Sequence, residues 1–266
     1  MDDITLPDGE PEVLVAGDWH SNGPWVNHIL RRAHECRPGA RTVLQLGDLN
    51  VGEGRVAKGF LNTLDKVCAE TGVERVLSTP GNHDHWGRLL TRFEKNPGKP
   101  VQLSDSLWVL PRGYRFTLNG IRFLSFGGAA SVDVHSRTLT GPGRDWWEEE
   151  VPTNEECVAA ALGDPVDVIL VHEGTNYAGP KMQGILNSNP YGFPADALRY
   201  SAVSRDRITR VFDELRPRLL MHGHLHVNEQ QTLEDGRVVR SMGCDKQPGN
   251  MGHLGLNKRL NWQWVS

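Results

Sequence analysis

The chain has 266 residues, 29 Lys and Arg against 33 Asp and Glu, and a formal net charge of −4 with its 11 His counted as neutral. Nearly balanced signs at 23% charged residues argue against a disordered chain and against a polybasic binder of nucleic acid or of a membrane surface. Cys36, Cys68, Cys157 and Cys244 are widely spaced, so neither a zinc knuckle nor a disulfide framework is indicated, and four scattered thiols suit a reducing cytoplasm.

The N-terminal segment MDDITLPDGEPE is acidic and lacks the basic-then-apolar order of a signal peptide, and no apolar stretch approaches the ~20 residues of a membrane helix. A cytoplasmic location and no membrane partner are expected. Single α/β domains often reach about 250 residues, so one domain over 1–266 is expected, with core motifs over 17–226 and closing β segments over 227–266.

Val13 to Ala16 form a continuous apolar run ending in Gly17-Asp18. Trp25 to Cys36 follow with apolar residues at Trp25, Val26, Ile29, Leu30 and Ala33, which is a helical period. The pattern recurs: Thr42 to Leu46 ends at Gly47-Asp48, a helix covers about Ala57 to Thr71, and Arg75 to Ser78 leads to Gly81-Asn82-His83-Asp84. Strands alternating with helices imply βαβ units and a largely parallel sheet.

From Val101 the texture turns β-rich, with Tyr114 to Leu118 and Ile121 to Phe126 joined by the hairpin signal Asn119-Gly120, so a second sheet is expected to begin there. Gly127 to Val151 shows no clear period. It contains Gly141-Pro142-Gly143 and Trp146-Trp147 and ends in Glu148 to Glu150, a run expected to be solvated. A helix around Asn154 to Leu162 leads to the strand Val166 to Val171, ending at His172. Lys181 to Pro194 reads as another long loop, before a helix over Arg205 to Leu215, the strand Arg218 to Met221, and His222-Gly223-His224-Leu225-His226. Gln230 to Leu233 and Arg237 to Met242 form a closing hairpin.

Metal-competent residues therefore follow strand after strand: Asp18 and His20, Asp48, Asn82-His83-Asp84, His172, and His224 with His226. In open α/β sheets ligands sit beyond the carboxyl ends of the strands, so these residues should converge. Carboxylates, imidazoles and an amide without thiolates suit Mn²⁺, Fe or Zn²⁺ better than Ca²⁺. Two such ions about 3.5–4 Å apart form the clamp used for in-line displacement at phosphorus.

The ordered set G-D-x-H (Gly17 to His20), G-D (Gly47-Asp48), G-N-H-D (Gly81 to Asp84), His172 and G-H-x-H (Gly223 to His226) resembles the calcineurin-like metallophosphoesterase superfamily. The resemblance implies an α/β fold of four αββα layers, two mixed β-sheets flanked by helices. It implies that Asp18, His20 and His226 bind a first divalent metal, that Asp48 bridges, and that Asn82, His172 and His224 bind a second. Mn is favoured, with Fe, Zn, Ni or Co as alternatives. His83 is then the unligated catalytic imidazole, with Asp84 beside it as an orienting carboxylate. The chemistry expected is attack on phosphorus by a hydroxide bridging the metals while His83 assists the leaving group.

Protein phosphatases of the superfamily extend the second block to G-D-x-x-D-R-G and end the third in Glu. Here Gly47-Asp48-Leu49-Asn50-Val51-Gly52 and Asp84 depart from both, and the pattern looks more like small bacterial and phage-type phosphodiesterases, including cyclic-nucleotide ones. The expected activity is hydrolysis of a small phosphodiester. A phosphomonoesterase or nucleotide pyrophosphatase is the alternative, followed by a nuclease and a catalytically inactive scaffold. A long nucleic acid is not expected as a partner, for want of a basic stripe. Oligomeric state is left open.

Taken singly, Asp18, Asp48 and Asn82 could be turn or cap residues and His172 a satisfied strand-end histidine; the complete ordered set decides for the metal site. Arg137 and Arg144 are candidate phosphate contacts in the long loop. Trp146 and Trp147 are candidates for stacking on a base, set against the plainer reading of aromatics anchoring a loop. His222 is expected to be an ordinary hydrogen-bonded histidine and His85 to start the helix after the third block.

Overall fold

The computed structural model describes residues 9–51, 54–139 and 144–265. The Gly141-Pro142-Gly143 segment, Gly52 and most of the acidic N-terminal segment lie outside the described residues. Strand β1 (Glu12–Ala16), helix α1 (Gly23–Cys36), β2 (Thr42–Gln45), α2 (Gly54–Thr71), β3 (Arg75–Ser78) and α3 (Trp86–Lys95) follow the alternation that the apolar runs predict. Two short strands, β4 (Val101–Gln102) and β5 (Leu107–Val109), come next. They complete the first sheet: Val76, Leu77 and Ser78 pair in parallel with Leu107, Trp108 and Val109. The second sheet therefore begins at β6 (Tyr114–Leu118) and β7 (Ile121–Phe126), not at Val101. A β-rich texture shows that strands form but not whose edge they extend.

The chain continues through α4 (Val134–Leu139), a 3-10 turn over Glu148–Glu150, α5 (Asn154–Ala161), β8 (Val168–Val171), α6 (Pro180–Ser188) and α7 (Ala195–Leu215). Thr153 and Glu156 close a reciprocal capping box on α5. The expected loop over Lys181 to Pro194 is overturned, since most of it is α6. There Pro180 opens the helix, and the Gly, Asn and Ser content that suggested a loop lies largely on its exposed side. Helix α7 starts at Ala195 rather than Arg205. Its buried stripe runs on through Ala197, Ser201 and Ser204 to Ile208, Val211 and Phe212, and two of those steps are serines that an apolar periodicity does not count.

The remaining strands are β9 (Leu219–His222), β10 (Glu229–Thr232), β11 (Val238–Ser241), β12 (Met251–Gly255) and β13 (Trp262–Trp264). The first sheet has the order β13-β12-β1-β2-β3-β5-β4 and the second β10-β11-β9-β8-β7-β6. Both are mixed: β1, β2, β3 and β5 run parallel, as do β7, β8, β9 and β11, with antiparallel strands at the edges. The closing segment does not stay with the hairpin that precedes it. Strand β12 returns to the first sheet and pairs antiparallel with β1.

Alternation along each strand assigns the layers. Val13 and Val15 of β1 join Leu44, Leu77, Phe123, Val168, Leu170, Leu219 and Met221 between the sheets. Leu14 and Ala16 turn the other way, onto Val26 and Leu30 of α1 and Leu64 of α2. Ile169, Val171 and Leu220 back the second sheet against Ile208 and Phe212 of α7. The result is helix, sheet, sheet, helix, with β2, β3, β8 and β9 buried along their whole length, as parallel strands covered on both faces must be. Among the described residues no helix is long and apolar enough to cross a membrane.

Candidate metal centre

The parallel strands of both sheets finish at one rim, and the loops that leave them carry the site. Their backbone is unusual: His20, Asp48, His224 and His226 have φ of 45°, 53°, 68° and 55°. That left-handed region costs on the order of 1–3 kcal/mol per non-glycine residue and persists only where surroundings hold it. Here the loops hold one another. The N–H groups of Trp19 and His20 both donate to Asp48 O, at 3.3 and 2.9 Å, and Ser21 N–H donates to Leu49 O at 2.8 Å.

Side chains are packed against these loops without spare room. A Cβ on Gly81 would collide with Asp48 Oδ1 and lie 2.8 Å from His172 Nε2, and one on Gly223 would collide with Asp18 Oδ1. The glycines of the third and fifth blocks are thus the space that the carboxylates occupy.

All seven residues expected as ligands reach this rim. Asp18, His20 and His226 present donor atoms within 4.8 Å of one another, and so do Asp18, Asp48 and His172. Asp48 spans the two groups, with Oδ1 3.2 Å from His172 Nε2 and Oδ2 3.9 Å from His20 Nε2. Asn82 Oδ1 lies 3.1 Å from His172 Nε2, and the Asn82 amide donates to Ser131 Oγ at 3.0 Å, which keeps its oxygen turned inward. His226 Nε2 is 3.0 Å from Asp18 Oδ2, and the His224 ring stands 5.1 Å from that of His172.

The electrostatics ask for added positive charge. His172 Nδ1 donates to Leu46 O at 2.6 Å, so its Nε2 faces two oxygens, Asp48 Oδ1 and Asn82 Oδ1, that can only accept. Unless a proton or a cation lies among them, three electron pairs oppose one another. Burial disfavours a charged His172, yet Asp48 and Asp18 outweigh it and push its pKa up to about 10. Burial likewise opposes a proton on His226, and its hydrogen bond to Asp18 overrides that. Asp48 is held well below the usual carboxylate range by His172 and His83 in spite of full burial. The opposite case is His224, whose buried Nε2 has no hydrogen-bond partner and whose pKa burial and His172 push well below the usual value. An orphaned imidazole nitrogen beside buried carboxylates is a donor set that fits divalent cations of the Mn, Fe and Zn type.

His83 is half-buried beside this centre, its N–H donating to Asp48 Oδ1 at 2.8 Å. Burial lowers the pKa of its ring, partly offset by Asp48. Asp84 does not orient that ring. Its two oxygens accept the N–H groups of Asn50, at 2.9 Å, and Gly81, at 2.8 Å, which ties the loops after β2 and β3 together. Burial and the neighbouring Asp48 push its carboxyl up to about 6.

The candidate substrate contacts divide. Arg137 and Arg144 line, with Asn50, His83 and Asp133, a cavity of about 380 Å³. Arg137 also lies under the Asn82 loop, donating to Asn82 O at 3.2 Å. Trp147 is buried with its ring 4.4 Å from that of His85 and lines the same cavity as Arg137 and Arg144, whereas Trp146 anchors its loop, Nε1 donating to Glu150 Oε1 at 3.1 Å. The Glu148 to Glu150 run is not uniformly solvated, because Glu150 is fully buried and accepts from Ser131 N–H and Oγ. The 3-10 turn points one glutamate inward. His222 is buried with Nδ1 3.0 Å from Gly223 O, and His85 caps the start of α3, as the sequence suggests.

Sequence reading missed Asp245. Its Oδ1 is 2.8 Å from His20 Nδ1, and Asn22, which also caps α1 by accepting Trp25 N–H, donates to its Oδ2. Such a carboxylate fixes the tautomer of a metal-binding imidazole and leaves Nε2 free to ligate. The available signal was position: Asp245 follows β11 as Asp18 follows β1.

The family model for calcineurin-like phosphoesterases matches residues 11–228. Among solved structures, a dimetal phosphatase from Danio rerio superposes with a TM-score of 0.56 at 12% identity, covering 96% of this chain and 99% of that one. A protein from Thermus thermophilus superposes with a TM-score of 0.51 at 13% identity, covering 96% and 100%. At such identities the likeness is one of fold. No curated protein matches the sequence.

Proposed function

The chain belongs to the calcineurin-like phosphoesterase family, and from that premise we propose that it is a dinuclear metal-dependent hydrolase of small phosphodiesters. Asp18, His20 and His226 would hold one divalent cation, Asn82, His172 and His224 the other, with Asp48 shared. When bound, the cations supply Lewis-acid charge at the phosphoryl oxygens and make water a nucleophile near neutral pH. Mn²⁺ is the favoured metal, with Fe, Zn, Ni and Co as the alternatives.

The observation that carries the diester reading is that His83 stands where two cavities meet. One, of about 380 Å³, is lined by polar groups including Arg137, Arg144 and Asp133. The other, of about 440 Å³, is lined by Asp48, Asn82, His224 and His226 of the ligand set and has Leu186, Tyr191, Phe193 and Leu198 on its wall. A monoester has one organic arm, whereas a diester has two, and room on both sides of the imidazole favours the second. The chain's own groups divide the work. Asp84 and Ser131 hold the ligand loops, Tyr191 and Phe193 pack the apolar arm, and His83 gives its proton to the leaving oxygen, a step worth about 10²–10⁴-fold. The four cysteines are free thiols, which supports a cytoplasmic setting.

Protein loaded with Mn²⁺ should hydrolyse bis(p-nitrophenyl) phosphate with kcat/KM at least tenfold above that for p-nitrophenyl phosphate. Absence of turnover with every divalent metal overturns the hydrolase reading. A preference for the monoester overturns the diester and leaves the hydrolase standing.

A further inference from the structure

At the opposite ends of the same strands lies a cleft of about 450 Å³ whose charged lining is almost wholly cationic: Arg216, Arg218, Arg237, Arg240, Lys258 and Arg259 against Asp235. Arg218 and Arg237 immediately precede β9 and β11, and Lys258 and Arg259 lie in the turn from β12 to β13, so both sheets contribute. A strand of four residues spans ~13 Å, which separates this cleft from the rim that carries Asp18 and His224.

Part of the charge is answered within the protein. Asp235 pairs with Arg216 at 3.1 Å and Arg237 at 2.7 Å, Asp213 with Arg237 at 3.1 Å, and Asp167 with Arg218 at 3.5 Å. No ion pair among the described residues serves Lys258, Arg259 or Arg240. Arg240 is the telling one. Only 6% of it is exposed, its Nε has no hydrogen-bond partner, its guanidinium lies 4.4 Å from the centroid of the Trp262 ring, and its one hydrogen-bond acceptor is the neutral Gln230 side chain. Burial without an acid pushes its pKa down to about 10. A buried guanidinium normally carries a paired anion, because an uncompensated buried charge is costly.

We propose that this cleft binds a small polyanion bearing two or more phosphate groups, such as an inorganic polyphosphate or a nucleoside triphosphate. Guanidinium forks match phosphate oxygens in pairs, and the cations come from three segments of chain, 216–218, 237–240 and 258–259, so a ligand with several phosphate groups can engage more than one of them at once. The cleft concentrates positive charge on a chain whose net charge is −4, so an anion approaching from solution is drawn to this face. The inference is independent of the catalytic reading and survives its failure.

The test is calorimetric titration of the whole chain in EDTA with tripolyphosphate, repeated with ATP and with orthophosphate. The expected result is one-to-one binding of tripolyphosphate that weakens with added salt, falls at least tenfold in Lys258→Glu/Arg259→Glu, and exceeds that of orthophosphate. ATP binding more tightly than tripolyphosphate assigns a nucleotide source, and equal binding assigns the phosphate chain alone. Both substituted side chains are exposed in a turn. As a readout that needs no variant, tripolyphosphate should also shift the tryptophan emission of the wild type through Trp262. No binding by the wild type, or unchanged binding by the variant, overturns the proposal.

Discussion

Strands β8, β9 and β11 finish among Asp18, Asp48, His172 and His224, where donors are buried, backbones are held in left-handed conformations and two glycines are the only residues that fit. They begin among Arg216, Arg218, Lys258 and Arg259, where side chains are long and mostly exposed. On the two proposals above, both ends would take phosphate, by opposite means. One gathers anionic and neutral donors so that cations meet the substrate. The other presents protein cations directly. The first arrangement needs placement within a fraction of an ångström and tolerates no added methyl group, whereas the second works through charges that salt screens over about 8–10 Å. Substitutions should therefore be steep at one end and graded at the other.

The largest effect expected is at the shared carboxylate. Asp48→Ala should lose cation binding and turnover together, while His83→Ala should keep its cation stoichiometry by calorimetry and lose about 10²–10⁴-fold in kcat. An Asp48→Ala chain that still binds two cations would break the contrast between the ends, and an undiminished His83→Ala rate would remove the imidazole from the reaction.

A smaller loss tests whether the steepness extends behind the ligands. Asp245→Ala should weaken cation affinity about 10–100-fold, the usual cost of losing the partner of a metal-binding imidazole. Asp245→Asn, which can still accept from His20, should recover much of it.

The smallest effect concerns stability alone. Burial pushes the Glu150 carboxyl up to about 7 although Ser131, Arg137 and Trp146 donate to it. The folded chain then holds a proton that the unfolded chain releases near 4.5. That contribution is complete below about pH 4.5 and is lost as pH rises through 7, on the order of 1–3 kcal/mol. Glu150→Gln should flatten the fall in Tm between pH 5 and pH 8. A slope identical to wild type would place the titration elsewhere.

What was legible in the sequence follows the same division. Asp18, Asp48, Asn82, His172 and His224 could be read because each follows a short apolar run that fixes a strand, and the strands aim them at one rim. The hairpin from Tyr114 to Phe126 could be read because Asn119-Gly120 marks its turn. Asp245 was hidden because a lone carboxylate after β11 has no motif around it. Glu150 was hidden because three consecutive glutamates look alike until a 3-10 turn chooses one. Helices α6 and α7 were blurred by Gly184, Ser201 and Ser204, where small residues pack or pass without an apolar signature. The basic cleft was invisible because its arginines come from separate turns, and only the two sheets bring them together.

The contact between His20 and Asp245 joins residues 225 positions apart in the chain. A ribosome adding about 5–20 residues per second completes His20 about 10–45 s before it completes its partner. Asn250, just before β12, donates to Asp18 O and arrives later still. Throughout synthesis the early ligands emerge with nothing to set the tautomer or direction of His20, so the nascent chain has no finished cation site to fill. If Asp18, His20 and His226 hold a cation as proposed, its loading falls among the last events in the making of the protein, and a chain released between residues 226 and 245 carries all seven proposed ligands without the carboxylate that meets His20.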